Sequence, residues 1–185
     1  VQTFLIATGV VALAEIGDKT QLLSLVLAAR YRQAWPIVAG ILVATLANHA
    51  VAAWAGAWIA EQLPAGFLKW LLAGSFIAVA LWALKPDTIS EGEAQTASKY
   101  GAFVATTIAF FLAEIGDKTQ VATVVLAAKY EPLWEVVVGT TLGMMLANVP
   151  VIVLGARFAH RLPLKAARIT AALVFALLAV AVVLR

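Results

Sequence analysis

Apolar positions in this chain gather into six long stretches separated by short polar connectors. The stretches run from Thr3 to Ala29, Trp35 to Ala60, Phe67 to Leu84, Gly101 to Ala128, Trp134 to Ala159 and Ala166 to Leu184. Each meets or approaches the roughly 20 residues that a helix needs to cross the hydrocarbon core of a bilayer. Two-residue alternation is absent and the runs are too long for barrel strands, which argues against a membrane β-barrel. The pattern predicts an all-α polytopic membrane protein with six transmembrane helices. The first stretch exceeds a signal-peptide core and carries Glu15, Asp18 and Lys19 at its centre, so it reads as a span and not as a targeting segment.

Composition agrees with that reading: of 185 residues, 63% are hydrophobic and 12% charged, with a mean hydropathy of +0.96. A water-soluble domain of this length is excluded, and the lipid bilayer is the first partner. The absence of cysteine removes disulfides, thiolate metal sites and thiol redox chemistry. Net charge matters through its distribution. With alternating spans, one face holds Arg30, Arg32, Lys85, Lys99, Arg157, Arg161, Lys165 and Arg168, and the other only Lys69, Lys129 and Arg185. The positive-inside tendency makes the first face cytoplasmic and leaves both termini outside the cytoplasm. These residues sit in short connectors with no basic domain to present them, so a nucleic-acid partner is not expected. Tyr31, Trp35, Tyr130 and Trp134 stand at span ends, as interface anchors do.

The polar residues inside the apolar stretches carry a second pattern. The octapeptide Ala-Glu-Ile-Gly-Asp-Lys-Thr-Gln occurs at Ala14 to Gln21 and again at Ala113 to Gln120, 99 positions later. The same shift lays Ser24 on Thr123, Arg30-Tyr31 on Lys129-Tyr130, Trp35 on Trp134, Gly40 on Gly139 and Leu63-Pro64 on Leu162-Pro163. Between Gly40 and Gly56 the match slips by one residue, so that Asn48 falls beside Asn148, which suggests a one-residue adjustment within a helix. The chain is a tandem duplication. Residues 1–84 form the first three-helix repeat, 85–100 a polar cytoplasmic linker and 101–185 the second repeat, together one membrane domain. Because three spans per repeat is an odd number, the second copy enters the membrane from the opposite face. Two inverted three-helix repeats are expected, a plan that puts a transport site near the midplane where the repeats meet.

Ionisable groups at bilayer depth are costly and mark function by default. On a continuous helix Glu15 and Asp18 share a face, as do Glu114 and Asp117. An inverted two-fold axis brings the two pairs together near the middle of the first and fourth spans. Four carboxylates with Lys19 and Lys118 leave a charge of minus two, the complement of one divalent cation or of two protons. Oxygen donors suit hard ions, which favours Mn²⁺ or Ca²⁺ as a transported ion and calls for no prosthetic group. Gln21, Gln120, Thr20, Thr119, Asn48 and Asn148 are candidate supporting ligands. His49 has no counterpart, since Val149 aligns with it, and reads as a packed or water-contacting histidine and not as a ligand. Gly17 and Gly116 either interrupt their helices, freeing backbone carbonyls for the ion, or permit a close crossing.

Two copies of Glu-x-Gly-Asp-Lys-Thr in a short six-span chain resemble the signature of the Gdt-type cation exchanger family, uncharacterised protein family 0016. The resemblance implies a Mn²⁺ and Ca²⁺ transporter exchanging metal for protons, with ion binding at Glu15, Asp18, Glu114 and Asp117 and with Thr20 and Thr119 as lesser candidates. Without the long presequence of organellar members, a bacterial cytoplasmic (inner) membrane exporter is expected. Other functions compatible with paired intramembrane carboxylates are a membrane-embedded metal-dependent hydrolase and a passive divalent-cation channel. The repeated octapeptide lacks the Arg, Ser or His that phosphate hydrolysis would use. Monomer and homodimer are both open.

Overall fold

A computed structural model describes residues 1–85, 101–155 and 163–184. Beyond Lys85 the expected linker lies outside the described residues, as do Lys99, Arg157, Arg161 and Arg185. Among the described residues the protein is all helical, with no strand: α1 Gln2–Glu15, α2 Lys19–Tyr31, α3 Ala34–Gln62, α4 Ala65–Ala83, α5 Ala102–Glu114, α6 Lys118–Lys129, α7 Leu133–Leu154 and α8 Leu164–Val183. Four of them, α3, α4, α7 and α8, are long and apolar enough to cross a membrane unaided.

The first and fourth apolar stretches are each two helices, broken at the octapeptide. Glu15 closes α1, Ile16 is extended, and Gly17 turns the chain through the left-handed region at φ +82°. The second copy repeats this at Glu114, Ile115 and Gly116, with φ +74° at the glycine. A side chain in that region costs about 1–2 kcal/mol, which is why glycine stands there. Asp18 and Asp117 then cap the next helix, each side chain accepting from the backbone N–H two residues on, at Thr20 and Thr119. Gly-Asp is thus a stop followed by a start. Glu15 and Asp18 do not share one helix face as the spacing alone suggests, because the glycine turn lies between them. Of the two readings open for Gly17 and Gly116, interruption is the one observed.

Packing pairs elements from different repeats. Built on Gly40 of α3, a Cβ would lie 2.8 Å from the Phe103 carbonyl oxygen and 2.8 Å from Thr106 Cβ on α5. On Gly139 of α7 it would lie 2.7 Å from the Phe4 oxygen and 3.0 Å from Ala7 Cβ on α1. Phe103 and Thr106 are Phe4 and Ala7 displaced by 99, so one contact is made twice with the repeats exchanged. Along α3 the neighbours advance from Phe103 at Gly40 to Phe111 at Asn48 and Val124 at Gly56, so α3 runs parallel to α5 and α6. Likewise α7 runs parallel to α1 and α2, meeting Phe4, then Thr8, then Gln21 and Ser24. Glu135 in the first turn of α7 accepts the Phe4 N–H at 3.0 Å, satisfying one of the donors that every helix start leaves unpaired.

Helices α4 and α8 close the core against each other. Phe76 and Phe175, fully buried, stack with ring centroids 6.3 Å apart and planes tilted by 31°. They are also counterparts under the shift of 99.

Candidate cation site

The two helix breaks face each other and bring Glu15, Glu114 and Asp117 together, with one carboxylate oxygen from each lying within 4.8 Å of the others. Glu15 and Glu114 are wholly shielded from solvent, and Asp117 is 3% exposed. Glu15 and Glu114 are themselves counterparts under the shift of 99, as Phe76 and Phe175 are. The Thr20 hydroxyl donates to Glu15 Oε2 at 2.6 Å and the Thr119 hydroxyl to Glu114 Oε2 at 3.0 Å. That leaves Glu15 Oε1 and Glu114 Oε1 buried without a hydrogen-bond donor. Such atoms are expensive in a low-dielectric interior, a cost that a cation or a proton removes.

Asp18 is held differently. Lys118 Nζ, 2% exposed, is in contact with Asp18 Oδ1, while Lys19 Nζ stands 3.8 Å from Asp117 Oδ1 with its side chain 18% exposed. Each lysine therefore reaches across to the aspartate of the other repeat. The four-residue Glu15–Lys19 pairing that sequence spacing allows is not the one formed.

The amide residues surround the breaks. Gln21 Oε1 accepts the Gly17 N–H at 2.8 Å, and Gln120 Oε1 accepts the Gly116 N–H at 2.7 Å, so each glutamine satisfies the backbone of its own turn. Their amide groups cross to the other repeat: Gln120 Nε2 donates to Asn48 Oδ1 at 2.5 Å, and Gln21 Nε2 to the Ala147 carbonyl at 2.9 Å. Ala147 is the position equivalent to Asn48 under the shift of 99. The helix carries no adjustment here; the asparagine has moved by one place, a rotation of about 100° on a helix. Asn148 consequently meets α2 at another point, where Ser24 Oγ donates to its Oδ1 at 2.8 Å. Asn148 Nδ2 donates to the Met144 carbonyl at 3.1 Å. Asn48 Nδ2 donates to the Phe111 carbonyl at 3.4 Å.

Other buried polar groups escaped the sequence reasoning. The hydroxyls of Thr45, Thr106 and Thr141 and both ring nitrogens of His49 are buried with no hydrogen-bond partner. His49 is packed, as its lack of a counterpart suggests. For the threonines the available signal was a hydroxyl in an apolar run, which a helix usually absorbs on its own carbonyls, as Thr8 does on Phe4 at 2.8 Å.

A duplicated all-helical chain of membrane-crossing hydropathy, with buried carboxylates converging at paired helix breaks, defines a multi-pass membrane protein that handles a charged species. The model of the divalent cation/proton antiporter GDT1 family matches residues 3–91 and 102–185, and the chain belongs to that family. It is a transporter of divalent cations and not an enzyme. The chain is 56% identical over 172 residues to a protein of Vibrio cholerae named as a candidate manganese exporter, covering 92% of this chain and 85% of that one. It is 29% identical over 191 residues to a GDT1-like protein of Synechocystis, covering 92% and 91%. No solved structure matches.

Proposed function

We propose that this protein is a secondary active transporter that moves Mn²⁺, and Ca²⁺ as a second substrate, out of the cytoplasm in exchange for protons. The observation that carries the reading is the buried group of Glu15, Glu114 and Asp117, with two glutamate oxygens left without donors. Three carboxylates make an all-oxygen seat suited to a hard divalent ion. The C-terminal ends of α1 and α5 abut it, and carbonyls at half-helix ends favour cations. Thr20 and Thr119 orient the glutamates, while Gln21, Gln120, Asn48 and Asn148 brace the turns behind them. Protons and metal compete for the same carboxylate oxygens, which couples release of one to uptake of the other.

Each broken pair, α1–α2 and α5–α6, counts as one crossing, giving six spans. The two-residue connector Arg32–Gln33 reverses the chain between α2 and α3. Since α5 and α6 run parallel to α3, they oppose α1 and α2, as inverted repeats require. Arg30, Arg32, Lys85, Lys165 and Arg168 against Lys69 and Lys129 orient the chain in a bacterial inner membrane with both termini outside the cytoplasm.

The test is Mn²⁺ flux in proteoliposomes with and without an imposed pH gradient. Flux accelerated by the gradient, and abolished by Glu15→Gln or Asp117→Asn in normally folded protein, is expected. Flux indifferent to the gradient sinks proton exchange and favours a channel; parental flux in both variants sinks the site.

A further inference from the structure

The two lysines of the repeated motif supply no ligand to the seat just described, and their geometry is unequal. Lys118 and Asp18 are both sealed from solvent and in contact, whereas Lys19 is partly exposed and stands 3.8 Å from Asp117. The two pairs are the same pair of residues under the shift of 99, caught in a closed and a loosened form within one molecule. The aspartate in the closed pair is absent from the carboxylate group; the aspartate in the loosened pair belongs to it.

We propose that Lys19 and Lys118 are alternating internal counter-ions, each in turn covering the aspartate of the opposite repeat, so that the cation is held by Glu15, Glu114 and Asp117 in one state and by Glu15, Glu114 and Asp18 in the other. This deepens the transport reading and rests on it. Glu15 and Glu114 are counterparts of each other and so belong to both seats. Charge supports the division: Asp18 with Lys118 sums to zero, and Glu15, Glu114 and Asp117 with Lys19 sum to minus two, the complement of a divalent cation. Exchanging the lysines exchanges the two sums and leaves the total unchanged. As Lys19 closes on Asp117 it takes a ligand from the metal, and Asp18, leaving Lys118, supplies the replacement. The lysines act as tethered cations competing with the cargo. They are positioning residues.

The experiment exchanges the charges within each pair in the full-length chain and measures two things: Mn²⁺ binding by calorimetry in detergent, and Mn²⁺ flux in proteoliposomes. Asp18→Lys with Lys118→Asp preserves the closed pair and the present seat but removes the alternate one. Asp117→Lys with Lys19→Asp does the reverse. Both double variants are expected to transport at the protein-free background, and the Asp18/Lys118 exchange, which keeps the present seat, to bind Mn²⁺ within about threefold of the parent. Parental flux in either variant overturns the proposal. So does a folded Asp18/Lys118 exchange whose Mn²⁺ affinity falls by more than about threefold, since Asp18 would then act in the same seat as the other three carboxylates. If a charge exchange fails to give a monodisperse protein, the neutral pair Asp18→Asn with Lys118→Gln replaces it under the same expectations. Failure of the parent to bind or move Mn²⁺ would instead sink the transport reading itself.

Discussion

Gly139→Ala probes the contact on which the juxtaposition of the repeats depends. The added Cβ would sit 2.7 Å from the Phe4 carbonyl oxygen and 3.3 Å from Phe4 Cα. An ordinary carbon–oxygen approach is about 3.3 Å, so α1 and α7 must part by roughly 0.6 Å, and backbone atoms cannot rotate out of the way. A gap of that size forfeits about a quarter to a half of each dispersion contact along the seam. Overpacking of this kind costs about 1–3 kcal/mol, and replacing a helical glycine returns about 0.8–1 kcal/mol. A net loss of about 0–2 kcal/mol is expected from those two terms. Gly74→Ala in α4 is the control: its Cβ meets nothing within 4 Å. That variant should gain up to about 1 kcal/mol. Gly40→Ala, on the reciprocal contact, should lose as much as Gly139→Ala. The assay is unfolding in mixed detergent micelles followed by tryptophan fluorescence. A Gly139→Ala protein as stable as Gly74→Ala would refute the close approach and the reciprocity argued from it.

Thr20→Val keeps the side-chain shape but removes the 2.6 Å bond to Glu15 Oε2, leaving both oxygens of a buried carboxylate without a donor. The expected loss is about 1.5–3 kcal/mol in the same unfolding assay, with Thr20→Ser close to the parent; an unchanged midpoint in the valine variant would show that the bond does not form. Lowering the pH should weaken Mn²⁺ binding, by at most about tenfold per pH unit for each proton displaced, because the protonated oxygens no longer coordinate. Calorimetric affinities that stay level across pH would separate the proton from the metal seat.

Most of the fold is legible in the pattern of apolar runs, because bilayer thickness sets helix length so strictly. The bounds of α3, α4 and α8 fall within a few residues of the expected spans. The duplication, read from one octapeptide and a constant shift, makes Gly40 the counterpart of Gly139, and the structure shows that their contacts are counterparts too. The local shape of the motif was not legible. A carboxylate three residues from another reads as one helix face, and only the left-handed turn at Gly17 turns that spacing into an end and a cap. Partner choice was hidden for the same reason: Lys19 lies one turn from Glu15 on paper, yet the break sends it to Asp117. Asn48 and Asn148 align by eye with a slip, while in space Asn48 corresponds to Ala147.

That last mismatch has an energetic consequence. Two conformations that differ only by exchanging the roles of identical halves would have equal free energy by symmetry. Here Gln120 finds a side-chain amide where Gln21 finds a backbone carbonyl. The displaced asparagine is one of the differences between the halves that lift this degeneracy at the site itself. A fused chain, unlike a pair of identical subunits, can thus set the bias between its two orientations one residue at a time.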